Sequence, residues 1–168
     1  MTRVTDFRKM KDEFFAQDGQ SPLTPAQKKV FKGLRYFPYN PALNLEVTVR
    51  EFPEKQQVEM QTTTGDIQVY QRYGRISFMV DSQPAELTIY QSDSGWFLPF
   101  VDSLASKETY PAGRYLEPEP LGDGSFRVDF NLAYNPYCAY NDYWSCPLTP
   151  FENRLRVPIR AGEKLFHN

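Results

Sequence analysis

Between positions 129 and 153 the chain gathers side chains able to do chemistry: Asp129, Asn131, Tyr134, Asn135, Cys138, Tyr140, Cys146, Glu152 and Asn153. Carboxylates such as Asp129 and Glu152, with Asp102, Glu108 and Asp142 near them, can act as acid and base when their surroundings separate their acidities. Amides and phenols between aromatic walls can orient a polar ligand. Thiol catalysis is less well supplied, because a cysteine needs a histidine or cation beside it to become thiolate. The one histidine, His167, adjoins the C-terminal residue. That position argues equally against a Ser-His-Asp triad. Cys138 and Cys146 stand eight positions apart, which is neither zinc-knuckle nor thioredoxin-like spacing. No metal and no organic cofactor is expected. The thiols are expected to be reduced in a cytosolic protein and are the obvious pair in an oxidising compartment.

Alternation over 125–133 predicts the strand that carries Asp129. Phe126, Val128, Phe130 and Leu132 share one face, and Arg127, Asp129 and Asn131 share the other. Arg114, on a nearby predicted strand, is the natural partner for Asp129. The pair is either a structural ion pair or part of a polar face lining a cavity. The loop 134–150 then packs Tyr134, Tyr137, Tyr140, Tyr143 and Trp144 among Asn135, Asn141 and Asp142. It either plugs one end of the fold or forms an aromatic wall with polar tips around a ligand.

The elements that must position these residues begin with a helix. Val4, Phe7, Met10 and Phe14 fall on one stripe, with Arg8, Lys9, Lys11 and Asp12 elsewhere on the surface. Thr24-Pro25 reads as an N-cap with proline at the first helical position, and Gly33 can close this second helix. Pro38 and Pro41 mark an extended linker. From Leu43 the period changes to two. Further strands are predicted at 57–63, 66–73, 75–80, 86–91, 96–100, 113–116, 125–133 and 155–159, with Gly74 and Pro84 among the separators. Thr62-Thr63-Thr64-Gly65-Asp66 has one glycine, no following lysine and no helix behind it, so it reads as a hairpin turn rather than a phosphate cradle.

The expected fold is mainly β: one antiparallel β-barrel or sandwich of about eight or more short strands (43–160), preceded by two N-terminal helices (1–34). Its 168 residues fit a single domain over 1–168. Nineteen lysines and arginines against 21 acidic residues leave a net charge of −2, no basis for binding a phosphate backbone. Mean hydropathy is −0.59, yet 13 Phe, 11 Tyr and 2 Trp supply a core. The first residues contain no apolar segment of the kind a secretory signal has, and no apolar run is long enough to cross a bilayer. The expectation is a cytoplasmic protein with no nucleic-acid or membrane partner.

The run Asp129-Phe130-Asn131-Leu132-Ala133-Tyr134-Asn135-Pro136-Tyr137-Cys138-Ala139-Tyr140, followed by Cys146-Pro147-Leu148-Thr149-Pro150-Phe151-Glu152-Asn153, resembles the bacterial and archaeal domain-of-unknown-function (DUF) 1684 family. Supporting stretches include Lys11-Asp12-Glu13-Phe14-Phe15, Gly33-Leu34-Arg35-Tyr36-Phe37-Pro38, Gly113-Arg114-Tyr115-Leu116 and Ile159-Arg160-Ala161-Gly162-Glu163. Two departures are Pro111, where the family pattern looks like glycine, and Thr149, where it looks like proline. The resemblance implies no established activity. The residues themselves suggest a β-barrel pocket for a small polar or anionic organic molecule, formed by Arg114, Asp129, Asn131, Tyr134, Asn135, Cys138, Tyr140, Glu152 and Asn153. The alternative is a carboxylate- or cysteine-dependent enzyme, a hydrolase or isomerase, using the same motif.

Overall fold

A computed structural model describes residues 2–167. Helix α1 (Thr2–Gln17) leads to α2 (Pro25–Val30). The Thr24 hydroxyl accepts the Gln27 N–H while the Gln27 side chain accepts the Thr24 N–H, and Pro25 occupies the first turn, where no donor is needed. The helix stops at Val30, short of Gly33. Gly33 instead takes a φ of 119° where the chain returns to α1, and Asp12 accepts the Leu34 N–H there.

The strands are β1 (Asn44–Thr48), β2 (Arg50–Glu51), β3 (Gln57–Gln61), β4 (Ile67–Val80), β5 (Gln83–Ser92), β6 (Gly95–Phe100), β7 (Arg114–Leu116), β8 (Glu119–Pro120) and β9 (Ser125–Asp129). One sheet has the order β1-β9-β8. The other runs β2-β4-β5-β6-β7, with β3 also paired to β4, and every strand pairing is antiparallel. The fold is therefore mainly β with two N-terminal helices. Both strand orders are open, and no barrel closes among the described residues. The main core joins Val47 and Val128 of the smaller sheet to Ile76, Leu87, Ile89, Leu98 and Phe100 of the larger, each side chain contributing about 1.5–3 kcal/mol by leaving water. Among the described residues no helix is long and apolar enough to cross a membrane.

Three segments depart from the periodicity. The predicted strands 66–73 and 75–80 are a single strand, β4, of 14 residues. Gly74 is not a turn but pairs with both Glu51 and Ile89, beside a register shift. A Cβ there would lie 2.5 Å from Val49 Cγ1 and 2.9 Å from the Arg50 carbonyl oxygen, so the close approach of the first strands requires glycine. The predicted strand 125–133 ends at Asp129, whose carboxylate accepts the Asn131 N–H and caps a 3-10 turn, Phe130–Leu132. Residues 155–159 bury Val157 and Ile159 as alternation suggests, but form no named strand. Their segment makes a few backbone hydrogen bonds with Val101 and Ser103, and the Ile159 carbonyl turns to a side chain instead.

Candidate functional site

Helix α1 docks only in part by its apolar stripe. Val4 and Phe15 are buried, but Phe7 is 37% and Met10 70% exposed. Phe15 packs in a buried cluster with Leu23, Leu34 and Tyr140, and the charged residues of the same helix face make further contacts with the body of the protein. Arg8 stacks over the Tyr36 ring at 4.6 Å, and Asp12 accepts the Tyr36 hydroxyl at 3.2 Å and the Leu34 N–H at 3.0 Å. Lys11 Nζ stands 3.4 Å from Glu163 Oε1. Phe7, Met10 and Phe14 are left lining one side of a cleft of about 580 Å³, opposite Leu116, Val128, Leu132, Tyr134 and Tyr137. This is an ordinary volume for a small-molecule site.

The charged groups around the cleft are Arg3, Lys11, Arg127, Glu117, Glu119 and Asp129. Several are already engaged. Tyr134 donates its hydroxyl to Glu117 at 2.7 Å, and burial, then Glu117, raises the phenol well above its ordinary range. Arg127 bonds Glu46 and Asn44, and Asp129 accepts both the N–H and the side-chain amide of Asn131. Lys11 lies 5.0 Å from the Tyr134 ring centroid and 5.6 Å from that of Phe15. Its ion-pair partner Glu163 is buried and also accepts the Tyr140 hydroxyl at 2.7 Å and the Asn135 N–H. Two buried groups nearby, Arg8 through Nε and Nη2 and Asn135 through Oδ1, lack hydrogen-bond partners.

The residues singled out from sequence separate into five places. Asp129 and Tyr134 line the cleft, with Asn131 bonded to Asp129 behind it. Asn135 and Tyr140 meet at Glu163. Arg114 pairs not with Asp129 but with Asp102, 3.6 Å away, and gives its remaining donors to the carbonyls of Ile159, Ala161 and Glu163. Its side chain is enclosed and braces the C-terminal segment.

Glu152 and Asn153 lie on the larger sheet. Arg72 grips Glu152 at 2.7 and 3.0 Å, with Thr88 at 3.0 Å and Tyr90 at 2.5 Å, while Asn153 bonds both Thr88 backbone groups and the Pro99 carbonyl. Burial pushes the Glu152 carboxyl up, but the hydrogen bonds from Arg72, Tyr90 and Thr88 outweigh it and bring it down to about 2. Cys138 lies elsewhere again, against Thr63. Among the described residues no three His, Cys, Asp or Glu side chains assemble a metal site.

Residues 29–164 match the family model described as "Protein of unknown function (DUF1684)". The chain belongs to the DUF1684 family. No curated protein matches it. Among solved structures it is similar to the solution NMR structure of the uncharacterized protein from gene locus rrnAC0354 of Haloarcula marismortui, 36% identical with a TM-score of 0.72, over 97% of this chain and 92% of that one. The DUF1684 match takes in all nine strands and Glu163 but not α1. Thr149 lies beside the turn that holds Pro111: its hydroxyl donates to the carbonyl of Ala112 at 3.3 Å.

Lys11 and Glu163 were not singled out as site residues, although both lie in stretches that carry the DUF1684 resemblance. A sequence signal for Glu163 is the glycine before it. Gly162 has a φ of 78°, and a Cβ there would meet the Phe130 and Ala133 carbonyl oxygens at 2.7 and 2.8 Å.

Proposed function

We propose that this DUF1684 protein binds a small organic molecule with an apolar body and a polar or anionic end in the cleft between α1 and the β7–β9 region. The observation that carries the reading is the helix itself. Phe7, Met10 and Phe14 line an open cleft, while the adjoining face, Arg8, Lys11 and Asp12 together with buried Val4 and Phe15, docks on the body of the protein. A helix whose only task was to cover the core would turn these three residues toward it as well. An apolar ligand between this stripe and Leu132, Tyr134 and Tyr137 would remove that surface from water, at about 25 cal/mol per Å². Lys11 offers the anionic end a cation on an aromatic surface. Its ammonium stands 3.4 Å from Glu163 and 5.0 Å from the Tyr134 ring centroid.

The enzymatic alternative draws no comparable support. Glu152 is held ionised by Arg72 and is a poor proton donor at neutral pH. The test uses decanoate, decanol and decylamine as probes of equal length, followed by backbone amide shifts. Saturable shifts at Phe7, Leu132 and Tyr137, strongest for decanoate and abolished by filling the cleft with Leu132→Trp, are expected. Saturable binding that the filled variant retains, or no saturable binding to any of the three, would overturn the reading.

A further inference from the structure

The two cysteines of the loop after Tyr137 converge on one residue, Thr63, in the turn between β3 and β4. Thr63 Oγ1 lies 3.2 Å from Cys138 Sγ and accepts the Cys146 N–H at 3.2 Å, while the Thr63 N–H donates to the Cys146 carbonyl at 3.1 Å. The Cys138 thiol also donates to the carbonyl of Trp144, two residues before Cys146, at 3.0 Å. Both cysteines are free; Cys146 is buried and Cys138 half-buried. Burial first, then the adjacent Cys138 thiol, pushes the Cys146 thiol up to about 12. The fold thus holds both ends of the loop between the cysteines at Thr63 while the thiols are reduced, which lowers the loop-closure cost of joining them.

We propose that Cys138 and Cys146 are a redox-active pair that forms an intramolecular disulfide on meeting a low-molecular-weight disulfide. Cys138, the more accessible sulfur, attacks as thiolate. The S–S bond of the oxidant breaks, one thiolate leaves, and a mixed disulfide remains on Cys138. Cys146 then loses its proton, attacks the Cys138 sulfur and expels the second thiolate. The two protein thiols are oxidised by two electrons, the oxidant is reduced to two thiols, and the two protons end on those thiols. The bond would fasten the loop behind one wall of the cleft, because Tyr137 adjoins Cys138 and its ring lies 5.1 Å from that of Trp144.

The experiment exposes the full chain to excess oxidised glutathione, quenches it with an alkylating agent, and reads intact mass and peptide maps. The wild type is expected to lose two hydrogens, take up no alkylating agent and yield a peptide pair joined through Cys138 and Cys146. Cys146→Ser is expected to stop at one glutathione on Cys138. The wild-type map decides the matter even where the serine variant fails to fold. A lasting glutathione adduct on wild-type Cys138, a disulfide between chains, or full alkylation of both thiols after prolonged exposure would each overturn the proposal.

Discussion

Arg114 Nη2 stands 3.6 Å from Asp102 Oδ2, and the two side chains are 1% and 2% exposed. The pair holds the C-terminal segment in place of a sheet. Arg114 takes the carbonyls of Ile159, Ala161 and Glu163, while Asp102 takes the Ile159 N–H and the Thr109 hydroxyl, each at 2.8 Å. Arg114→Met leaves those carbonyls and a buried carboxylate without their partner and is expected to cost about 3–5 kcal/mol. Arg114→Lys should recover little, since one ammonium cannot reproduce the guanidinium fork. Urea denaturation measures both, and a loss below about 1 kcal/mol for the methionine variant would contradict this bracing role.

Glu152 gives the fold an acid limb. Its carboxyl is brought down to about 2 from an ordinary 4.5 by Arg72, Tyr90 and Thr88, against the opposing effect of burial. A carboxyl depressed by folding contributes stability above its unfolded value and loses it as pH falls. The window is therefore from about 4.5 down to about 2. With solvent screening of a partly exposed pair, the contribution is on the order of 1–2 kcal/mol. In Glu152→Gln the urea midpoint should fall less steeply through that window than in wild type. Parallel acid limbs would show that other carboxylates set it.

The β4–β5 hairpin turns on two residues with positive φ, Asp81 at 50° and Ser82 at 67°. Two-residue turns of this hand favour glycine at the second position. Ser82→Gly is expected to stabilise by about 0.5–1 kcal/mol. Gly74→Ala has the opposite sign, because its Cβ would fall 2.5 Å from Val49 Cγ1 and 2.9 Å from a carbonyl oxygen. A loss of about 2 kcal/mol or more is expected there. Thermal melts of the two variants should move in opposite directions.

Those positions also mark what the sequence could and could not reveal. Period-two alternation found most of the strands, because each buries one face. It could not separate 155–159 from a true strand: alternation reports burial, whereas strand identity depends on where the backbone hydrogen bonds go, and here the Ile159 carbonyl goes to Arg114. Gly74 looked like punctuation because a glycine needed for close approach and one needed for a turn are the same letter. The site divided for a similar reason. Asp129 and Glu152 stand close together in one family motif, but the 3-10 turn after Asp129 and the following loop carry them to different sheets. Arg114 had three carbonyl partners that no side-chain pattern announces.

The same limit applies to α1, where spacing identified Phe7, Met10 and Phe14 as one face but not what that face covers. If the face lines a cleft rather than the core, its residues separate by stability. Phe15, 1% exposed and 5.0 Å ring to ring from Tyr140, should cost about 3–5 kcal/mol when cut to alanine. Phe7→Ser combined with Met10→Ser should cost less, about 1–2 kcal/mol, because Met10 keeps 70% and Phe7 37% of its surface in water. The double variant should nevertheless lose saturable decanoate binding while its melting curve stays nearer to that of wild type than the Phe15→Ala curve does. A double variant that unfolds as Phe15→Ala does would make the stripe core, and the cleft would then be an opening the helix normally closes.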